Sequence, residues 1–294
     1  MGIELFSRYY EVEQIYQFED EILGKKISEI CFRGSQQDLM QTYNTQPAIF
    51  TTSVAIHRIL KKYNIYPDCV AGYSLGEYTA LYAAGVIDFV SGSFLVNQRA
   101  VAMERASKTE DLGMGVITGN DIDEVVKLCN ETEGVYISNY NSDTQISISG
   151  KRSEIRRVFN IIENYGTFKT AEIAVNGAFH SPFMQDAMVE FEESLKKVKF
   201  DIPQCPIVLN NTGEVWNKKD DLKALMMRQM IEPVRWSKSV KTMLDLGMDT
   251  FIEIGPGRVL SRFIKDISSS KKGIRIVNIE DMQSLENAIE ILNS

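Results

Sequence analysis

Midway along the chain the hydrophobic rhythm changes. From about Gly113 the sequence breaks into short segments: MGVIT, a helical stretch through IDEVVKLCN, then VYISNY, TQISISG, a second helical stretch through SEIRRVFNIIENY, and FKTAEIAV. Period-2 alternation marks strands and a 3.6-residue period marks helices, so the order reads β-α-β-β-α-β. That is the split βαβ pattern of a ferredoxin-like unit. Longer elements flank it on both sides, which predicts an α/β chain in which a large domain, residues 1–104 and 174–294, is interrupted by a small one at 105–173.

Upstream, residues from about 8 to 65 read as helices, with a helical apolar period through TQPAIFTTSVAIHRILKKY. YPDCVAGYSLGEYTALYAAG then reads as a short buried strand, a tight turn around Gly72 to Gly76 and a helix rich in Ala and Leu. Downstream come a helix after Ser181, a strand in CPIVLNN, helices through LKALMMRQMI and SVKTMLDLGM, and a strand TFIEIG ending at GPG. At 294 residues and 44% hydrophobic composition, there is material for a sizeable core. With 32 basic residues against 40 acidic, the net charge of −8 argues against general nucleic-acid binding and leaves only local basic patches to meet an acidic partner. No apolar run approaches membrane-spanning length, and MGIELFSRYYEVEQ lacks the basic and apolar regions of a leader, so no membrane role is expected. Cys31, Cys69, Cys129 and Cys205 are scattered without a C-x-x-C pair, which predicts reduced thiols and a cytoplasmic setting.

The segment Gly72-Tyr73-Ser74-Leu75-Gly76 fits G-x-S-x-G between strand and helix. In a nucleophile elbow, glycines tolerate the close backbone and the serine hydroxyl is pushed out at a helix N-terminus, where amides stabilise an oxyanion. The alternative is a Gly-rich turn with an incidental serine. A serine nucleophile needs a base, and the chain has two histidines. His57 lies in an amphipathic helix, where packing is its ordinary role. His180 lies in NGAFHSP between a strand and a helix, where a side chain can face a cleft, or it is simply a residue beside the helix cap Ser181-Pro182. Arg99 offers a planar fork that fits a carboxylate in two charge-assisted hydrogen bonds; the alternative is a surface arginine paired with Glu104 or Glu77. The run Lys151-Arg152 with Arg156-Arg157 is either a solvated face or a dock for an acidic partner. Gly255-Pro256-Gly257 reads first as a tight structural turn, although Arg258 and Arg262 just after it could meet phosphate or an acidic partner.

TQPAIF, GYSLGEY, NQRAVAM, GAFHSPFM and EIGPGRVL, in this order and at these spacings, resemble the malonyl-CoA:acyl carrier protein transacylases and the acyltransferases of polyketide synthases. The resemblance spans nearly the whole chain. It implies an α/β-hydrolase-like large domain carrying the ferredoxin-like insertion, with the site in the cleft between them. It further implies Ser74 as the acylated serine, His180 as its base, and Gln229 holding the imidazole through its backbone carbonyl. The backbone N–H of Leu75 becomes an oxyanion donor. Arg99 becomes the grip on the free carboxylate of malonate, and Phe179 the bulky residue associated with malonyl over α-branched groups. No metal and no held cofactor are implied: malonyl-CoA is the substrate and an acyl carrier protein the acceptor.

The sequence departs from the family pattern twice. Tyr73 stands where histidine is usual, removing a polar neighbour from the acyl pocket. The opening strand and PGQGSQ loop of the family pattern have no counterpart before Met1-Gly2, so the first central strand is expected to be missing and the natural protein to start upstream. Two rival activities follow: an acyl hydrolase of the same fold that clears carrier proteins, and an impaired homologue that binds carriers.

Overall fold

The computed structural model describes residues 1–108 and 111–293; residues 109 and 110, inside the interval expected for the insertion, lie outside the described residues. The N-terminal region is helical, with helices at Ile3–Arg8, Tyr10–Leu23, Ile27–Arg33, Gln36–Met40 and Thr42–Lys62. The last is the spine of the large part, burying Phe50, Val54, Ile56 and Ile59. It tolerates Pro47 in its second turn. A proline there leaves the carbonyl four residues earlier without its helical donor, and the Tyr43 carbonyl accepts instead from Lys25 Nζ at 3.4 Å.

Strands β1 (Val70–Ala71), β2 (Leu112–Thr118), β3 (Val135–Tyr140), β4 (Gln145–Lys151), β5 (Lys169–Ile173), β6 (Ile207–Val208), β7 (Thr250–Ile254) and β8 (Arg275–Ile279) form three sheets. β1 and β6 pair in parallel, Val70 opposite Ile207 and Ala71 opposite Val208. β7 and β8 form a second parallel pair. Parallel pairs need covering on both faces. Val70 and Ile207 belong to the large apolar cluster with helices Thr42–Lys62 and Phe89–Ala106, while Ala71 and Val208 join one built on Trp236, Val240 and Phe251.

The middle of the chain forms an antiparallel sheet in the order β3-β4-β2-β5. Helices Ile122–Glu131 and Arg152–Glu163 pack on it, around Ile117, Ile146, Ile148, Val158 and Ile162. Backbone bonds stitch this small sheet to the large part at Val234. Val234 N–H donates to the Ser138 carbonyl at 2.9 Å, and Tyr140 N–H to the Val234 carbonyl at 2.8 Å. No helix among the described residues is long and apolar enough to cross a membrane.

Candidate active site

Because β1 and β6 run parallel, the turns that follow them leave the pair side by side. The turn after β1 is sharp enough to put Ser74 at φ 50°, a left-handed conformation that non-glycine residues seldom adopt. A Cβ on Gly72 would overlap the Gly76 carbonyl and the Glu77 N–H, so position 72 has room only for glycine. At Gly76 a Cβ would meet nothing within 4 Å. The sequence expectation that both glycines are sterically required is thereby corrected to Gly72 alone. From the β6 side, Asn210 clamps the turn: its Oδ1 accepts the Ser74 N–H at 2.6 Å, and its Nδ2 donates to the Gly72 carbonyl.

Ser74 Oγ lies 2.7 Å from His180 Nε2. His180 is also held at positive φ, 58°, in the loop before the short helical turn Pro182–Met184. Its Nδ1 lies 2.8 Å from the Gln229 carbonyl oxygen. A carbonyl can only accept, so Nδ1 carries the proton and Nε2 is left to accept from the Ser74 hydroxyl. That carbonyl is free for a reason written in the sequence. Helix Leu222–Arg228 stops before Gln229, and its continuation would require a donor four residues on, where Pro233 has none. The helix expected through Ile231 is accordingly shorter. Burial, and then the neighbouring Arg99 charge, hold the His180 pKa down at about 4, so the ring is neutral at pH 7.

Arg99 comes from the middle of helix Phe89–Ala106 and is only 1% exposed. It donates through Nη1 to Gln46 Oε1 at 2.6 Å and through Nη2 to Gln229 Oε1 and Ser74 Oγ, each at 3.1 Å. Its guanidinium lies 5.7 Å from the centre of the Tyr78 ring. Among the described residues no carboxylate forms an ion pair with it, which removes the surface-arginine alternative. Leu75 is buried at the start of helix Gly76–Ala83, and among the described residues no backbone carbonyl accepts its N–H. Phe179 is half-buried against the large core. The hydroxyl of Tyr73 is not free to serve a pocket: it donates to Asn141 Oδ1 at 2.6 Å while the ring packs edge-on to Trp236.

The other candidates separate clearly. His57 is buried edge-on against Tyr82, with no partner at Nδ1 among the described residues. The three arginines of the basic run are paired, Arg152 with Asp111 and Glu172, Arg156 with Glu172, and Arg157 with Glu154. Arg258 pairs with Glu280. Sequence reasoning passed over Gln46 and Asn210 and treated Glu77 only as a partner for Arg99. Gln46 and Glu77 stand inside quoted motifs, TQPAIF and GYSLGEY, so the signal was present without a role attached.

This arrangement can pass a proton from a serine hydroxyl to an imidazole beside a buried guanidinium, which suits acyl transfer from an anionic substrate. The comparisons with known proteins point the same way. A family model described as the acyl transferase domain matches residues 1–286. The malonyl CoA-acyl carrier protein transacylase of Bacillus subtilis is 32% identical over 296 residues, covering 99% of this chain and 92% of that protein. The crystal structure of the enzyme of that name from Clostridium perfringens superposes with a TM-score of 0.93 at 33% identity, covering 100% of this chain and 92% of the other. A solved complex of a type II PKS acyl-carrier protein with its malonyl-transacylase matches with a TM-score of 0.93 at 31% identity, over 99% of this chain and 94% of that one. With a serine–histidine pair assembled in an α/β fold and likeness along its whole length, the chain belongs to the acyl transferase domain family.

Proposed function

We propose that this protein moves a malonyl group from malonyl-CoA, through an ester on Ser74, to the phosphopantetheine thiol of an acyl carrier protein in fatty acid or polyketide biosynthesis. The observation that carries the reading is one oxygen, Ser74 Oγ, within 2.7 Å of a neutral imidazole nitrogen and 3.1 Å of a buried guanidinium. The first group activates it. The second gives the free carboxylate of malonate a charge to meet.

As Ser74 Oγ attacks the thioester carbonyl, its proton passes to His180 Nε2, and the Leu75 N–H donates to the oxyanion that forms. Collapse expels coenzyme A, whose sulfur takes the proton from the imidazolium. In the return half, His180 takes the proton of the carrier thiol, the sulfur attacks the seryl ester, and Ser74 leaves with that proton restored to Oγ. The Gln229 carbonyl keeps Nδ1–H in place throughout and stabilises the imidazolium without an acidic third residue. Arg99 favours this reading over hydrolysis of simple acyl chains, which present no carboxylate to a buried cation. The assembled Ser74–His180 pair favours it over a carrier-binding role alone.

The strand order β3-β4-β2-β5, antiparallel with two helices, supports the reading of residues 105–173 as a ferredoxin-like unit. Residues 1–104 and 174–294 then make the hydrolase-like part, and Tyr73 and Phe179 border the acyl pocket. Coenzyme A is substrate, no metal or resident cofactor is invoked, and the four free cysteines suit the cytoplasm. The test is intact-mass analysis after exposure to malonyl-, methylmalonyl- or acetyl-CoA, followed by a carrier protein or water. The expected result is a malonyl adduct on Ser74 that carrier thiol discharges faster than water does. An adduct elsewhere, or none, would overturn the proposal.

A further inference from the structure

Glu77 is 1% exposed, and its carboxylate is turned into the protein. One oxygen, Oε1, accepts the backbone N–H of Asn210 at 2.8 Å; the other, Oε2, accepts Gln229 Nε2 at 2.7 Å. These two residues are the ones that touch the reacting pair from behind. Asn210 holds the Ser74 N–H and the Gly72 carbonyl. Gln229 holds His180 through its carbonyl and donates from Nε2 to the Ser74 carbonyl at 2.8 Å.

The orientation of the Gln229 amide follows from its neighbours. Its nitrogen faces two acceptors, Glu77 Oε2 and the Ser74 carbonyl, and its oxygen faces the Arg99 guanidinium. The amide therefore bridges a buried acid and a buried base, donating to one and accepting from the other. A buried charge without a partner is costly, so the bridge also keeps the Arg99 cation compatible with its dry surroundings. Burial pushes the Glu77 carboxyl up to about 7, while the donors from Asn210 and Gln229 and the Arg99 charge oppose that rise.

We propose that Glu77 is a positioning residue for acyl transfer: by fixing Asn210 with one oxygen and Gln229 with the other, it sets the serine turn and the histidine in register with each other. It touches neither reacting atom. It does at one remove what the third acid of a serine triad does by direct contact, and the inference rests on the acyl-transfer reading above.

The measurement is the rapid-quench time course of seryl ester formation from malonyl-CoA, read by intact mass, for the wild type, Glu77→Gln and Glu77→Asp. Its amplitude counts folded sites, and its rate constant reports how well they are aligned. In Glu77→Gln the new NH2 group must face one of two donors, so one of the two contacts is lost. In Glu77→Asp the charge remains but the shorter side chain cannot span both partners. Each variant is expected to keep the wild-type amplitude and lose about 10-fold to 100-fold in rate constant, the range typical of losing a group that orients a reacting one. A wild-type rate constant in either variant, whatever its amplitude, would overturn the proposal, because Glu77 would then matter only for folding. Absence of labelling in the wild type would instead refute the acyl-transfer reading itself.

Discussion

Ser74 and His180, whose side chains meet at 2.7 Å, both hold left-handed backbone, φ 50° and 58°. Neither is glycine, so each conformation is maintained against a local cost of about 1–3 kcal/mol by the contacts around it. At Ser74 those contacts are the Asn210 clamp and the Gln229 bond to its carbonyl. Ser74→Ala and Ser74→Gly should both abolish malonyl labelling. The glycine variant should be the more stable of the two by about 1 kcal/mol in urea unfolding, because glycine adopts this backbone without penalty. Equal stability would mean that the turn is unstrained.

The two glycines of the elbow should behave differently. A methyl group at position 72 would overlap the backbone of Gly76 and Glu77, which cannot move without opening the turn, so Gly72→Ala should cost several kcal/mol or prevent folding. Position 76 begins a helix and has open space around its Cα, so Gly76→Ala should leave the melting temperature unchanged or raise it. Thermal unfolding of the two variants side by side decides the matter, and a matching loss in both would contradict the geometry.

Arg99→Ala should weaken malonyl transfer about 100-fold, the scale of a lost charge-assisted contact, while leaving acetyl transfer much less affected. Arg99→Lys should recover little, because one ammonium cannot hold Gln46, Gln229 and the Ser74 oxygen together. Relative kcat/KM values for malonyl-CoA and acetyl-CoA are the measurement. A uniform loss for both substrates would make Arg99 a structural residue.

The meeting of Ser74 and His180 was legible because each lies in a short motif whose flanking strand and helix can be read locally. The network behind them was not. Glu77 meets Asn210 across 133 positions and Gln229 across 152, and no local period encodes which backbone N–H a buried carboxylate will face. The small sheet was readable because its strands run five to seven residues, long enough to carry a sequence pattern such as the I-S-I-S of β4. β1 and β6 read as strands in YPDCVAGY and CPIVLNN, but at two residues each they are too short for a period to set their bounds, which their pairing defines. β8 was passed over although RIVNI is rich in β-branched residues, since only its partner β7 gives that segment an edge to join. The shift of register between Ile137 and Asn139 likewise has no signature in the sequence.

The last prediction concerns pH. Burial is the leading cause that holds both His57 and His180 at a pKa of about 4, against 6.5 for a free imidazole, with nearby cations adding to it in each case: Lys61 and Arg58 at His57, Arg99 at His180. A histidine with a depressed pKa in the folded chain binds its proton more readily once unfolded. Stability from neutral burial is therefore complete above pH 6.5 and is lost as pH falls from 6.5 toward 4, by roughly 1.4 kcal/mol per pH unit per histidine. Glu77 and Glu19, whose carboxyls burial pushes up to about 7, gain stability over the same fall in pH, so the net urea curve mixes both signs and the histidine part is isolated by a variant. Replacing His57, which has no polar partner at Nδ1 among the described residues, with leucine should remove about half of the histidine part of that slope and leave labelling of Ser74 intact. Activity should follow a different course: as pH falls through about 7 Glu77 gains a proton and can no longer accept from both Asn210 and Gln229, so kcat/KM for acylation should settle toward the Glu77→Gln level, and protonation of His180, the base, should then abolish it with an apparent pKa near 4. In Glu77→Gln, where that first step is missing, an acid limb at 6.5 would show that the ring is solvated in the working enzyme, contrary to its burial in this structure.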